Sequence, residues 1–306
     1  MENKTNICNL CPRDCGRDRS VTVGYCTEGD KLRVGRAALH MWEEPCISGK
    51  EGSGTVFFSG CHLKCVYCQN HDLAHSRAGV EITTERLAEI FSELQSQGAN
   101  NINLVTPTHF TDKIIETIRT ARAHGMDLPI LWNCGGYEKV STVRMLRGYA
   151  DIFLPDFKYM SSEIANKYSN APDYAPIAKQ AIDEMVKIAP EPVFDERGIM
   201  MRGVIVRHLV LPGCYHDSEK IIEYLYSTYG DSIYISIMSQ YVPVDCASLP
   251  RELRRKTTQY EYDKVVDHAL KIGVKQAYIQ SGEAAEESFI PAFDGTGVYP
   301  SKADPR

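Results

Sequence analysis

From Thr55 onward the chain repeats one alternation, and it limits the fold more than any other feature. Short apolar runs, rich in β-branched and aromatic residues, alternate with stretches whose apolar residues recur at helical spacing. The runs are TVFFS (55–59), INLVT (102–106), PILWN (129–133), DIFLPDFK (151–158), VIVRHLVL (204–211), YISIMSQ (234–240) and QAYIQ (276–280). Between the first two, Leu87, Ile90, Phe91 and Leu94 follow an i, i+3, i+4, i+7 pattern. Thr83 or Thr84 is placed to cap that helix, and Gly98 to stop it. Further helices are expected over about 111–124, 137–147, 161–169, 176–188, 217–228 and 257–272. Strands and helices in this order give an α/β fold whose parallel sheet is built from right-handed βαβ units. A doubly wound sheet and an open or closed β/α barrel satisfy the pattern equally.

The cysteines divide the chain. Of eleven, eight precede residue 70: Cys8, Cys11, Cys15, Cys26, Cys46, Cys61, Cys65 and Cys68. This separates a Cys-rich N-terminal extension (1–52) from a β/α body (53–280), with the Gly-rich GKEGSG (49–54) as the joint. The tail (281–306) reads as mostly irregular. The opening MENKTNICNLCPRDC lacks the apolar core of a signal peptide, and no window of eighteen apolar residues offers a membrane span. A cytoplasmic location is therefore expected, where thiols stay reduced and serve metals or catalysis rather than disulfides. The net charge of −6 and the absence of a long basic block argue against a nucleic-acid partner. The short basic run RELRRK (251–256) reads as a solvated helix face.

Directly after the first body strand stands Cys61-His-Leu-Lys-Cys65-Val-Tyr-Cys68, a C-x3-C-x2-C spacing. Three thiolates on one loop suit three corners of a cubane cluster, leaving the fourth iron without a protein ligand. A tetrahedral zinc is the competing reading, and it needs a fourth ligand such as His62 or His71. At the front, Cys8-x2-Cys11-x3-Cys15-x10-Cys26 places four thiols within nineteen residues, interleaved with Arg13 and Arg17. That set suits a second metal site, either zinc or an auxiliary iron–sulfur cluster, with reduced thiols that are simply buried as the alternative. Cys46 reads as structural, and Cys134 as a buried, inert thiol more readily than as a substrate-facing one. Asp156 and Lys158 lie two apart on a strand, so their side chains share a face. At the C-terminal end of a barrel strand that face meets the mouth where active sites lie.

With Tyr67 just before its last cysteine, the C-x3-C-x2-C motif resembles the signature of the radical S-adenosylmethionine (SAM) superfamily. GSGTVFFSGCHLKCVYCQNHD, NLVTPTH, LPDFKY, RHLVLPG and MSQY are similar, in order, to the subgroup of pyruvate formate-lyase activating enzyme, over about Cys8 to Tyr241. The resemblance implies a partial (β/α)6 barrel. It also implies a 4Fe–4S cluster on Cys61, Cys65 and Cys68, with SAM chelated to the free iron and cleaved to a 5′-deoxyadenosyl radical. It implies a protein or peptide substrate, with a glycyl radical enzyme as the example and a small-molecule substrate as the alternative, and reduced flavodoxin or ferredoxin as electron donor.

Carried over by position, Tyr67 contacts the adenine, with a packed loop aromatic as the other reading, while Asp156 and Lys158 contact the ammonium or ribose and the carboxylate of SAM, with a buried structural ion pair as the other reading. Where many relatives have Gly-Gly-Glu for the SAM amino group, this chain has Thr106-Pro107-Thr108-His109, and its hydroxyls and imidazole stand in for the acid. Asn133 replaces the leading acid of the family's Asp-Thr-Asn-Gly stretch. His208 is expected either to face the barrel interior beside the adenosyl group or to be a satisfied core histidine, and Ser239 and Gln240 to line the same mouth. The reading from another class is an iron–sulfur electron-transfer or maturation protein without SAM cleavage. The Thr-Pro-Thr-His departure supports it, and Asp156 and Lys158 count against it. A zinc-stabilised binding module comes third.

Overall fold

The computed structural model describes residues 7–244, 249–280 and 291–300, so Cys246 and most of the expected tail lie outside the described residues. In chain order the strands are β1 (Leu32–His40), β2 (Ser53–Phe58), β3 (Val80–Ile82), β4 (Ile102–Val105), β5 (Ile130–Cys134), β6 (Ile152–Pro155), β7 (Val193–Phe194), β8 (Met200–Leu209), β9 (Tyr234–Met238) and β10 (Ala277–Ile279). The helices are α1 (Pro45–Ser48), α2 (His71–Ala74), α3 (Thr84–Ser96), α4 (Thr111–Ala123), α5 (Val140–Met145), α6 (Ser162–Ser169), α7 (Tyr174–Ile188), α8 (Tyr215–Tyr229) and α9 (Gln259–Ile272).

The sheet runs β10-β9-β8-β6-β5-β4-β2-β1-β3, with β7 antiparallel on β8. Every pair from β2 across to β10 is parallel, whereas β1 is antiparallel to both β2 and β3. The two ends do not meet. This is an open, partial β/α barrel, as expected from the alternation and the resemblance together.

Local chemistry explains the boundaries. Thr83 Oγ1 accepts from the Arg86 amide and starts α3. Thr258 and Glu261 form a reciprocal capping box at α9. The parallel strands are apolar on both faces because both are covered. Outward, Val56, Phe58, Leu104, Trp132, Phe153, Val204 and Val206 pack on the helices as the main core. Inward, Leu131, Ile152, Leu154 and Ile205 form a second, smaller core with Cys46 and Ile47.

Those last two residues come from outside the barrel strands. Residues 43–48, between β1 and β2, cross the concave face of the sheet. The Asn101 side-chain amide donates to the Ile47 carbonyl at 2.9 Å, and that of Asn100 to the Ser48 carbonyl at 2.8 Å. Glu43 accepts from Asn103 on β4 at 3.0 Å and from Arg207 on β8 at 3.1 Å. The segment expected to belong only to the front extension thus supplies both a sheet strand, β1, and the filling of the barrel.

Residues 291–300 are not loose either. The Ala37 amide donates to the Thr296 carbonyl, and the Gly295 amide to the Gly35 carbonyl, both at 2.9 Å. Buried Arg86 donates to the carbonyls of Val298 and Tyr299, each at 3.0 Å. Phe293 packs its ring against Phe57, 5.4 Å between centroids.

Candidate active site

The C-terminal ends of the parallel strands converge on one cavity, the arrangement expected of a β/α barrel. The loop after β2 contributes Cys61, Cys65, Tyr67 and Cys68. Thr106 and Thr108 follow β4, Asn133 and Cys134 end β5, Asp156 and Lys158 follow β6, and Gln240 follows β9. His40, Trp42 and Pro291 complete the rim, and Glu43 adds to the lining.

The three cysteines are free thiols. Burial pushes Cys61 up to about 11 and Cys68 up to about 12, while Lys158 acts in the opposite direction on both. Lys158 is thus a cation that faces the thiol group. Among the described residues, no three His, Cys, Asp or Glu side chains converge as the ligands of one ion would. The two histidines nominated as a fourth zinc ligand have other contacts. His62 Nε2 donates to the Tyr137 carbonyl at 2.8 Å, and His71 packs on His75, 4.4 Å between ring centroids.

Asp156 and Lys158 share the cavity face as their spacing predicts, with Lys158 Nζ 2.6 Å from Asp156 Oδ2. Burial alone would raise the Asp156 carboxyl, but Lys158 and Arg207 outweigh it and hold it below its ordinary value. Burial likewise disfavours the Lys158 ammonium, yet Asp156 and the thiols hold its pKa above the usual lysine range. Arg207 joins the floor together. Its Nε donates to Asp156 at 2.9 Å, and its two terminal nitrogens donate to Glu43 at 3.1 Å and to Asn133 Oδ1 at 2.6 Å. Two acids and two bases pair within this buried group, and buried Glu44 also faces Arg207. Arg207 and Glu43 were not read from the sequence.

His208, expected inside, points the other way. Its Nδ1 donates to the Phe157 carbonyl at 2.7 Å behind the sheet, because neighbouring strand residues face opposite sides. His109 also stays off the cavity. It sits in the turn 108–110, where burial lowers it to about 3 and its Nε2 donates to the Ser59 carbonyl at 2.7 Å. It braces the chain just before the cysteine loop. Thr106 reaches the cavity at φ +58, a left-handed conformation rare for a β-branched residue. Tyr67 has its ring edge-on to Tyr159, Tyr168 and Tyr241, and its hydroxyl accepts from Tyr159 at 2.8 Å. It is both a packed aromatic and part of the cavity wall. Below the loop, burial pushes the Glu138 carboxyl up to about 8, and it lies beside Thr108, Cys134 and His62.

The front cysteines gather without meeting at a point. A Cβ on Gly24 would lie 3.3 Å from Cys26 Sγ and 3.6 Å from Cys15 Sγ, while Cys8 lies 3.7 Å from an Arg19 nitrogen. The group is fastened to the cysteine loop. The Cys26 carbonyl accepts from the Cys61 amide at 3.3 Å, and Arg13 donates to the His62 carbonyl at 2.8 Å.

The sequence profile of the radical SAM superfamily matches residues 55–225, more than half of the chain. With the open barrel and the cysteine loop at its mouth, the chain belongs to the radical SAM superfamily. It is similar to the uncharacterized protein MJ0674 of Methanocaldococcus jannaschii, at 26% identity over 89% of this chain and 76% of that protein. Among solved structures it is similar to SuiB of Streptococcus suis bound to S-adenosylmethionine (TM-score 0.47, 12% identity, 72% of this chain). It spans about half of SuiB's length, 48%. It is also similar to methylornithine synthase, PylB (TM-score 0.48, 13% identity, 80% of this chain and 70% of that one).

Proposed function

We propose that the thiolates of Cys61, Cys65 and Cys68 hold a 4Fe–4S cluster with one open iron, and that SAM binds there beside Asp156 and Lys158. When bound and reduced, the cluster supplies the electron that cleaves SAM to a 5′-deoxyadenosyl radical, the chemistry that belongs to the cofactor. The chain's own work is placement. Lys158 offers its ammonium to the carboxylate of SAM, and Asp156 accepts from the amino or ribose donors. Leu63, Phe57 and Met238 on the same wall exclude water.

The substrate in this reading is a protein or peptide from which hydrogen is abstracted, as in the activation of a glycyl radical enzyme, with reduced flavodoxin or ferredoxin as electron donor. The rim supports a chain entering from outside, since Trp42 is 62% exposed there and Met41 beside it 42%. The observation that carries the proposal is the sharing of one cavity by three cysteines and a buried Asp–Lys pair.

The test is anaerobic reconstitution, reduction with dithionite, addition of SAM and assay for 5′-deoxyadenosine. Product that vanishes in the Cys61→Ala, Cys65→Ala and Cys68→Ala variants is expected. A fully loaded, reduced cluster that yields none sinks the reading and favours the electron-transfer alternative, which the mutual pairing of Asp156, Lys158, Arg207 and Glu43 would suit. Cys8, Cys11, Cys15 and Cys26 are proposed to hold a second metal. In the Cys65→Ala variant that metal is expected to stay while the barrel iron is lost, as read by elemental analysis.

A further inference from the structure

We infer that Arg13 is a positioning residue for the proposed cluster. It holds the peptide unit between His62 and Leu63 so that its amide donates to Cys61 Sγ, and in this way it raises the reduction potential of the cluster. The inference rests on the cluster proposed above, and it gives the Cys-rich front a task apart from holding a metal of its own.

The peptide unit is gripped on both sides. Its carbonyl, that of His62, accepts from Arg13 Nε at 2.8 Å. Its N–H, that of Leu63, donates to Cys61 Sγ at 3.4 Å. The amides of Lys64 and Leu63 both favour the Cys61 thiolate against the burial that opposes it. A cation on the carbonyl of a peptide polarises the N–H on its other side, so the first hydrogen bond strengthens the second. Hydrogen bonds to the sulfurs are among the factors that set the potential of an iron–sulfur cluster. They stabilise the reduced form more, because it carries the additional negative charge. Partners behind the ligands also fix how the ligands are presented.

Arg13 is itself held on every side. Nη2 donates to the Ser169 carbonyl at 2.8 Å and Nη1 to the Asn170 carbonyl at 2.5 Å. These carbonyls close the C-terminal end of α6, where a cation is favoured. The guanidinium also lies 4.4 Å from the centroid of the Tyr25 ring and 5.2 Å from that of Tyr137. All three of its acceptors are carbonyls, so no bonded acid cancels its charge. The backbone that carries Arg13 has fastenings of its own. The Leu10 carbonyl accepts from Thr142 Oγ1 at 2.7 Å, and Asp14 pairs with Lys139. A substitution at residue 13 therefore removes the guanidinium while these ties remain.

The experiment uses the full chain, anaerobically reconstituted, in a redox titration followed by electron paramagnetic resonance without SAM. The signal followed is the one absent from the Cys65→Ala variant. In Arg13→Gln the midpoint potential is expected to fall by at least about 59 mV, a tenfold change in a one-electron equilibrium. Iron content is expected to hold, and Arg13→Lys, which keeps a donor and the charge, to lie between Arg13→Gln and wild type. Lys64→Gln, which removes a cation from the loop but leaves the gripped peptide, is expected to shift the potential less. An unchanged potential in Arg13→Gln overturns the inference, and so does an equal shift in Lys64→Gln, since charge near the loop would then suffice. Loss of iron from both Arg13 variants overturns it too, leaving Arg13 as a brace of the fold. Wild-type protein that loads no such cluster overturns the proposed function together with this inference. Protein that loads the cluster, shows the shift and makes no 5′-deoxyadenosine overturns the proposed function alone.

Discussion

Arg207 and His208 are neighbours in sequence and lie on opposite faces of the sheet, and the difference decides what each does. Arg207 gathers Asp156, Glu43 and Asn133 at the cavity floor. His208 is buried behind the strand with Nε2 unpartnered, and burial lowers it to about 4 from an ordinary 6.5. Such a group stabilises the fold fully above its unfolded pKa. That stability is lost as pH falls through about 6.5 toward 4, because the unfolded chain takes up the proton first. Between about pH 7.5 and 5 this amounts to on the order of 2 kcal/mol. Urea unfolding at those two pH values should show His208→Gln losing about that much less stability than wild type. An equal loss would show that His208 is not the group responsible. Thr106 offers a second test. Its left-handed backbone costs roughly 1–2 kcal/mol, so Thr106→Gly should raise stability by up to about 1 kcal/mol after glycine's own entropy. Asp156 and Lys158 were legible because the two-residue parity of β6 carries just past its end, where Asp156 still bridges to Arg207, so side chains two apart share a face. Arg207 was not, since a strand with apolar residues on both sides gives no parity from which to tell in from out.

At the scale of elements, the helices and parallel strands lie close to where periodicity puts them, and the departures come from pairings between distant parts of the chain. RVGRAALH carries Gly35 and Arg36 and shows no clean alternation, yet it forms β1 because β2 and residues 295–296 complete its hydrogen bonds. No local signal describes that pairing. Arg86 holds the arrangement from the side of α3, with Glu93 at 2.6 Å and the carbonyls of residues 298 and 299 as partners. Arg86→Met should cost about 2–4 kcal/mol and release residues 291–300 from β1. Hydrogen exchange read at the Ala37 and Gly295 amides should rise by more than tenfold, while the α9 amides keep their protection. Gly297 shows how tight the fit is, since a Cβ there would meet the Ala37 carbonyl oxygen at 1.9 Å.

For the molecule as a whole, the class of fold and the position of the candidate site could be read in advance. The alternation fixed neither the open edge nor what fills the barrel. MWEEPCIS (41–48) mixes two acids, a proline and a cysteine with apolar residues, and nothing in its pattern says that it crosses the inner face of the sheet. Its burial depends on partners contributed by β4, β5, β6 and β8. Ile47, fully buried in the inner core, is the clearest probe. Ile47→Ala should cost about 2–5 kcal/mol in urea unfolding. Without that loss, the inner packing would not be contributing.

The place of residues 43–48 in the chain also bears on assembly. They leave the ribosome before β4, β5, β6, β8 and β9, the strands that come to lie over them. Synthesis proceeds at about 5–20 residues per second, far slower than collapse of a short segment. The inner segment is therefore already synthesised as each later strand arrives, and the strands that bury it come after it. The last pairing is expected to be a slow one. Residues 295–296 must find β1 across most of the chain, a long-range closure of the sort that sets folding rates.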